Sequence, residues 1–217
     1  MTFNASDKRL ALQAYESILG LIENGEARPG DLVTERRLAE RLSMSRTPVR
    51  DALLMLEGEG LLIRQGSRGL QVKQMRIEEF LDALQIRMLL EPAVARLAAG
   101  KVPQETIAAL RDQLVRLRAE GGGKADRELV RSLDEGLHGA LVQAIGNPQL
   151  VQIIQTLRRQ TQMFDLRAMP ERLQDTCDEH VRILAAVEKG EGGAAEAAMA
   201  DHLKHVQDSI IKRLTRQ

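Results

Sequence analysis

Aromatic residues are scarce in this chain, which has no Trp, one Tyr and three Phe among 217 residues. Proteins that bind single-stranded nucleic acid stack successive bases on aromatic rings, so this composition argues against that class. The single cysteine, Cys177, excludes a disulfide framework and a four-cysteine metal site. Because a chain without disulfides suits a reducing compartment, we expect a cytoplasmic protein.

The chain also lacks an excess of charge of one sign and a long apolar run. Lys and Arg total 31, and so do Asp and Glu, so the net charge indicates neither an acidic nor a basic partner. No apolar run approaches the roughly 20 residues that a membrane-spanning helix requires, and the amino terminus has no apolar signal-peptide region. Apolar residues make up 43% of the chain, enough for a substantial core. We expect a soluble protein without a membrane partner.

Apolar periodicity predicts two short helices separated by a tight turn. Helical spacing occurs at Leu38, Ala39 and Leu42 and again at Val49, Ala52, Leu53 and Leu56. Thr34 precedes the first helix and is a favourable N-cap residue. Only residues 43–45 separate the two helices. Either Ser45 or Thr47 could cap the second helix.

Two short apolar runs follow the second helix and enclose a glycine turn. The runs cover residues 61–63 and 70–72, with Gly66 and Gly69 between them. This pattern predicts a β-hairpin. A hairpin beside a helix-turn-helix is a wing, so we expect a winged helix-turn-helix domain over residues 1–75 that binds duplex DNA.

The charge pattern of this segment supports DNA binding. Between positions 36 and 50, a single acid, Glu40, faces five arginines: Arg36, Arg37, Arg41, Arg46 and Arg50. An arginine can bind guanine O6 and N7 together or grip a phosphate, and the hydroxyls of Ser45 and Thr47 can serve either role. The competing interpretation is a solvated basic face. The start of the second helix is, however, the end that such motifs insert into the major groove.

The segment resembles the DNA-binding domain of the GntR family of bacterial transcription regulators. The resemblance rests on the run PGDLVTERRLAERLSMSRTPVRDALLMLEGEGLL, followed by SRGLQV. It implies DNA contacts by Arg36, Arg46, Thr47, Arg50 and Gly69. Met44 departs from the small residues more usual there, and we expect it to alter packing and not DNA contacts.

From Arg76 onward the pattern is helical and is interrupted five times. The interruptions are GKVP at 100–103, EGGGK at 120–124, GNP at 146–148, MPER at 169–172 and KGEGG at 189–193. They separate six stretches of about 15 to 25 residues each. We expect an all-helical bundle over residues 76–217 and a mainly α protein. The bundle resembles the FCD ligand-binding domain of the FadR-like branch of the GntR family, in its six-helix, VanR-like variety.

Three of the four histidines fall on buried-looking faces of the predicted helices. Asp134 and His138 are four residues apart and project side by side, while His180 and His202 lie in or beside apolar stripes. His205 points about 60° further toward solvent. One carboxylate and three imidazoles suit zinc, nickel or manganese with a position or two left open. The competing interpretation is that each histidine is a core residue with its own hydrogen-bond partner.

The FCD resemblance implies the same ligands. The segments LDEGLHGAL, DEHVRIL and MADHL are similar to those that hold a divalent metal in many FCD domains, which implies Asp134, His138, His180 and His202. Zinc is our first expectation for the ion. Open coordination positions could accept the carboxylate of an organic acid, with Arg87 completing the site. A structural Arg87–Glu91 pair is the alternative, and Arg158 and Arg159 are further candidates.

Together these features predict a homodimeric transcription regulator, a repressor like most proteins of this architecture. Its two winged domains would bind the half-sites of a palindromic operator, and a small carboxylate effector would change operator affinity. One alternative is a metal-dependent hydrolase or lyase with an accessory DNA-binding domain. We find no further acid or histidine at fixed spacing to act as its general base. A pure metal sensor is the other alternative.

Overall fold

The computed structural model describes residues 5–119, 127–163 and 172–215. The chain divides into two compact units, one that comprises Met1–Ile77 with Gln162–Phe164 and one that comprises Glu78–Thr161 with Asp165–Gln217. The first unit combines helices with a small sheet, and the described part of the second contains helices only. The expectation of a mainly α protein is therefore confirmed. None of the described helices has the length and apolar character needed to cross a membrane.

The first unit is a winged helix-turn-helix. Its elements in chain order are α1 (Ala5–Glu23), β1 (Leu32–Val33), α2 (Glu35–Leu42), α3 (Arg46–Gly58), β2 (Leu62–Arg64), a 3₁₀ turn (Gly66–Arg68) and β3 (Leu70–Val72). Each helix places an apolar face in one shared core, whose buried members include Ile18, Leu38, Leu56 and Val72. The burial of these faces orients α2 and α3 relative to each other.

Local chemistry explains where α2 begins and ends. Thr34 is its N-cap, and the Thr34 hydroxyl accepts a hydrogen bond from the Arg37 backbone N–H at 3.4 Å. Ser43 ends the helix in the left-handed conformation, with φ of 53°. Only Met44 and Ser45 then remain before α3 begins at Arg46. The predicted tight turn is therefore present.

The wing is a three-stranded antiparallel sheet in the order β1-β3-β2. Strands β2 and β3 form the predicted hairpin, in which Ile63 lies opposite Gln71. Strand β1 pairs with the other edge of β3, where Val33 lies opposite Leu70. The sequence pattern missed β1 because two residues are too few to show alternation. Gly69 precedes β3 with φ of 102° and ψ of −150°, a conformation that a side chain would strain.

The described part of the second unit contains the six expected helices. They are α4 (Ile77–Ala98), α5 (Gln104–Ala119), α6 (Arg127–Ala144), α7 (Pro148–Met163), α8 (Leu173–Glu188) and α9 (Gly192–Leu214). Helices α5 and α6 approach closely at Gly136, where a Cβ would lie 3.0 Å from Leu110 Cδ2. The mostly apolar interior also contains a group of buried polar residues: Arg87, Glu91, His138, Arg158, Thr161, Glu179, His180 and His202. Such groups need partners.

Candidate nucleic-acid interface and metal centre

Helix α3, which we call the recognition helix, begins with polar, exposed residues. Ser45 occupies its N-cap position, but the Ser45 side chain makes no capping hydrogen bond. Of the two candidates, Ser45 and Thr47, Ser45 is therefore the N-cap residue, by its position and not through a side-chain hydrogen bond. Because the Ser45 hydroxyl is exposed and not used in capping, it can donate to a phosphate or a base.

The arginines singled out from the sequence lie on the surface of the winged unit. Arg36 pairs with Glu40 at 3.1 Å, and both side chains are mostly exposed. Arg46 and Arg50 project from the first two turns of α3, and Thr47 lies exposed between them. Both of these arginines bind Glu35, an acid that the sequence count from position 36 did not include.

The second unit brings four potential metal ligands together. Asp134 and His138 come from α6, His180 from α8 and His202 from α9, and one donor atom from each lies within 4.8 Å of all the others. Asp134 Oδ1 is 3.6 Å from Nε2 of both His138 and His180. The helical spacing that predicted this set thus corresponds to a cluster of one oxygen and three nitrogen donors.

Two buried glutamates orient two of the imidazoles. Glu91 of α4 contacts His138 Nδ1, and Glu179 Oε2 lies 2.8 Å from His202 Nδ1. Because a carboxylate accepts, each Nδ1 donates to it, and each Nε2 is the ring nitrogen left to face the other members of the cluster. A carboxylate on the remaining ring nitrogen is the arrangement usual for metal-binding histidines. Neither glutamate was identified from the sequence as a partner of a histidine.

Arg158 of α7 orients the remaining ligand. The Arg158 Nη2 group donates to Asp134 Oδ2 at 2.6 Å and to the Asp134 carbonyl oxygen at 3.0 Å. Burial alone would raise the pKa of Asp134, but the charge of Arg158 holds that pKa well below its ordinary value. Asp134 is therefore an ionised carboxylate whose Oδ1 faces the imidazoles.

Burial keeps two of the imidazoles neutral. It is the largest cause that lowers the pKa of His138 to about 4, and Arg158 adds to it against the opposing effect of Glu91. Burial also lowers the pKa of His180, with a further contribution from His202. Neutral imidazoles have the lone pairs that metal ions require.

The cluster contains buried polar atoms that no other group satisfies. His138 Nε2 and both ring nitrogens of His180 have no hydrogen-bond partner among the described residues. Buried polar atoms without a partner cost free energy. Because His138 Nε2 and His180 Nε2 both lie 3.6 Å from Asp134 Oδ1, this arrangement fits a bound cation. The residues present therefore fit the divalent metal expected from the sequence.

Arg87 forms the structural pair that was the alternative to effector binding. Arg87 Nε donates to Glu91 Oε1 at 2.6 Å, and Arg87 Nη1 donates to Thr161 Oγ1 at 2.9 Å. The carboxylate of Glu91 thus lies between Arg87 and His138. The Arg87 guanidinium is thus already hydrogen-bonded to protein groups. A role for Arg87 in effector binding remains a prediction.

His205 lies outside the ligand cluster and contacts Glu179, which also contacts His202 of the cluster. His205 Nδ1 is 2.8 Å from Glu179 Oε1, and about half of the His205 side chain is exposed. Arg172 also donates to Glu179, at 2.8 Å. Helical periodicity indicated the outward direction of His205, but no sequence signal identified Glu179 as the acid between two histidines.

A winged helix-turn-helix followed by a separate helical unit defines a class of two-domain DNA-binding regulators. Two family profiles match the chain: "Bacterial regulatory proteins, gntR family" over residues 10–72 and "FCD domain" over residues 82–205. The chain belongs to the GntR family of bacterial transcription regulators and carries an FCD domain.

Individual relatives agree with this assignment. The chain is 34% identical to the HTH-type transcriptional regulator LutR of Bacillus subtilis, over 88% of this chain and 96% of LutR. It is 30% identical to the HTH-type transcriptional repressor RspR of Escherichia coli, over 84% of this chain and 80% of RspR. The solved structure of E. coli McbR/YncC has the same fold, with a TM-score of 0.81 at 23% identity, covering 94% of this chain and 98% of that one.

Family membership decides between a transcription regulator and an enzyme. The chain is a DNA-binding transcription regulator and not an enzyme, since its relatives are named as transcription regulators. The metal-dependent hydrolase or lyase is therefore set aside.

Proposed function

We propose that this regulator is a repressor whose operator affinity falls when a small organic acid binds beside a divalent metal in the helical domain. The observation that carries the proposal is the cluster of three buried histidines, His138, His180 and His202, around the partly exposed carboxylate of Asp134. A repressor is also what the name of the relative RspR describes. We retain residues 1–75 as the DNA-binding domain and 76–217 as the sensing domain, and we infer a cytoplasmic location because the partner is chromosomal DNA.

The metal would be held by Asp134 Oδ1 and one nitrogen from each of the three histidines. Zinc is our first choice, and nickel or manganese is compatible with the same donors. When bound, the ion would supply open coordination positions to a carboxylate ligand. Glu91 and Glu179 would keep the His138 and His202 rings in the orientation that presents Nε2.

Two arginines beside the cluster support an acidic effector. Arg158 is buried, and its Nη1 has no hydrogen bond among the described residues. Arg87 is also buried and lies on the other side of Glu91, which is 4.0 Å from Arg158 Nη1. A free guanidinium N–H donates charge-assisted hydrogen bonds to a carboxylate. We propose that Arg158 Nη1 receives the effector and that Arg87 contributes if Glu91 shifts.

Operator binding in the presence of metal and acid tests this function. An operator duplex would first be selected from a random library with the wild-type protein. Chelator-treated protein on that duplex would then be titrated with zinc alone and with zinc plus short mono-, di- and tricarboxylates. We expect at least one carboxylate to weaken operator binding roughly 5- to 150-fold, and only when zinc is present.

Each alternative predicts a different result in the same titration. A pure metal sensor would respond to zinc alone and show no further response to any acid. A carboxylate response that is equal with and without zinc would contradict the role of the metal. In that event, mutation of Arg158 would still test whether the arginines bind the carboxylate.

We also propose a homodimer that binds a palindromic operator. Helix α4 is apolar on two sides: Phe80, Leu84 and Val94 are buried, whereas Ile86, Leu89 and Leu97 are exposed. Positions 86, 89 and 97 lie within about 80° of one another around a helix of 100° per residue. An exposed apolar stripe of this kind is typical of an interface between protein chains. A two-fold symmetric dimer would present two winged units to two half-sites.

Leu89→Asp is expected to weaken dimerisation by about 100-fold or more. Leu89 is the most exposed member of the stripe, at 73%, and in a two-fold interface the change buries two unpaired carboxylates at once. Sedimentation velocity over a range of concentrations measures the effect. Val115→Asp is the matched control, since Val115 lies on α5 and is 61% exposed. Equal dimerisation of the two variants would rule out this face.

A further inference from the structure

A single carboxylate, that of Glu35, binds both arginines at the start of the recognition helix. Glu35 Oε2 accepts a hydrogen bond from Arg46 Nη2 at 3.0 Å. The two Glu35 oxygens also accept from Arg50 Nε and Nη2, at 2.9 and 3.0 Å. Since Glu35 is the first residue of α2, these bonds join the start of α2 to the start of α3. The bidentate pair fixes the plane of the Arg50 guanidinium.

Glu35 is more shielded from solvent than the arginines it binds. Its side chain is 26% exposed, compared with 64% for Arg46 and 57% for Arg50. The hydrogen bond from Arg50 is the largest influence on the Glu35 carboxyl and lowers its pKa, against the opposing effect of burial. The acid is therefore ionised at neutral pH, and the two arginine side chains are more accessible to a partner than Glu35 is.

The pairing leaves part of each guanidinium available to DNA. A guanidinium has five N–H donors, and Arg50 uses only Nε–H and one Nη2–H on Glu35. The edge formed by Nη1 and Nη2 can still bind guanine O6 and N7 or a phosphate. Arg50 could therefore contact a base without leaving Glu35.

The same carboxylate also reduces attraction to phosphates of any sequence. Two guanidinium charges and one carboxylate leave a single net positive charge at the tip of the recognition helix. Sequence-independent DNA affinity depends on how many phosphates are neutralised. The positive charge that Glu35 cancels therefore lowers the affinity for DNA of arbitrary sequence more than the affinity for the operator. Base contacts depend on orientation, which Glu35 supplies.

We propose that Glu35 is a specificity-determining positioning residue, which orients Arg46 and Arg50 for base contacts and limits their binding to DNA of arbitrary sequence. The inference rests on the DNA-contacting role proposed for Arg46 and Arg50. It gives an acidic residue of the proposed DNA-binding surface a role in sequence specificity.

Glu35→Gln tests the proposal on two duplexes of equal length, the selected operator and one of scrambled sequence. We expect tighter binding to the scrambled duplex at low salt and a salt slope steeper by about 1. The ratio of operator affinity to scrambled-duplex affinity should fall roughly tenfold. Glu35→Asp keeps the charge but is too short to bind both guanidinium groups. Its salt slope should match the wild type while its affinity ratio falls.

Glu57→Gln is the matched control. Glu57 is also 26% exposed and forms a bidentate pair, with Arg64 Nε at 3.0 Å and Arg64 Nη2 at 2.8 Å, but at the other end of α3. The proposal is overturned if Glu35→Gln changes the ratio and slope no more than Glu57→Gln does. If Glu35→Gln does not fold, as judged by thermal melting, an unchanged ratio in Glu35→Asp overturns it equally. If the Glu35 proposal fails but Arg46→Ala and Arg50→Ala still lose operator binding, the DNA-contacting role of the two arginines stands.

Discussion

His180→Ala is expected to abolish metal binding by this protein. The His180 ring is buried in the cluster, and neither of its nitrogens has a hydrogen-bond partner among the described residues. The substitution removes one of four donors, so we expect a larger loss of affinity than the roughly 10- to 100-fold typical when only the partner of a ligand is removed. Elemental analysis after purification without chelator should find near-stoichiometric divalent ion in the wild type and almost none in the variant.

Thermal stability provides a second measurement of the same effect. A ligand that binds only the folded state stabilises it by about 2.7 kcal/mol at a concentration 100 times its Kd. Added zinc should therefore raise the Tm of chelator-treated wild type and leave that of His180→Ala unchanged. Wild-type protein that contains no divalent ion and does not respond to zinc would contradict the proposed metal site.

Two variants separate the ligands from their partners. Glu179→Gln keeps all four donors and, among them, weakens the orientation of His202, so zinc should still bind, but about 10- to 100-fold less tightly. His205→Ala removes a histidine only three residues from His202 but outside the cluster, and it should retain the metal. If His205→Ala lost metal as completely as His180→Ala, the assignment of His202 in place of His205 would be wrong.

Arg46→Ala and Arg50→Ala are expected to cost operator affinity about 1 to 3 kcal/mol for each arginine that contacts a base. Both side chains project from the start of α3, and more than half of each is exposed. Substitution removes a donor fork that can bind guanine bidentately. Fluorescence anisotropy with the selected operator at several salt concentrations would measure both the affinity and the salt slope.

Arg96→Ala is the control for a general loss of positive charge. Arg96 is 64% exposed, as Arg46 is, but it lies on α4 and pairs with Glu196. It should leave operator affinity close to that of the wild type. A double Arg46→Ala, Arg50→Ala variant with wild-type affinity and salt slope would show that α3 does not contact DNA through these residues.

Much of the fold could be predicted because it depends on local patterns. Apolar spacing and glycine punctuation predicted α2, α3, the hairpin and six further helices, all of which are present in the described residues. The spacing of four between Asp134 and His138 placed these side chains on one face of α6. The resemblance to GntR and FCD domains, carried by short motifs, agrees with both family matches.

The surroundings of the cluster could not be predicted in the same way. Glu91 and His138 are 47 residues apart, and Arg158 and Asp134 are 24 apart. Periodicity assigns a residue to a helix face but does not identify the helix that faces it. Glu91 was predicted only as a possible partner of Arg87, which it also binds. Glu179 directly precedes His180, yet it contacts His202 and His205.

The amino-acid sequence by itself determined the order of the elements, the exposed basic start of α3 and the faces on which the histidines lie. These properties follow from side-chain periodicity and capping, which act over a few residues. Only the tertiary structure decided that Glu35 binds both recognition-helix arginines and that two glutamates and Arg158 contact the proposed metal ligands. Such pairings depend on which buried surfaces pack together, because packing brings charges from distant parts of the chain to within hydrogen-bonding distance.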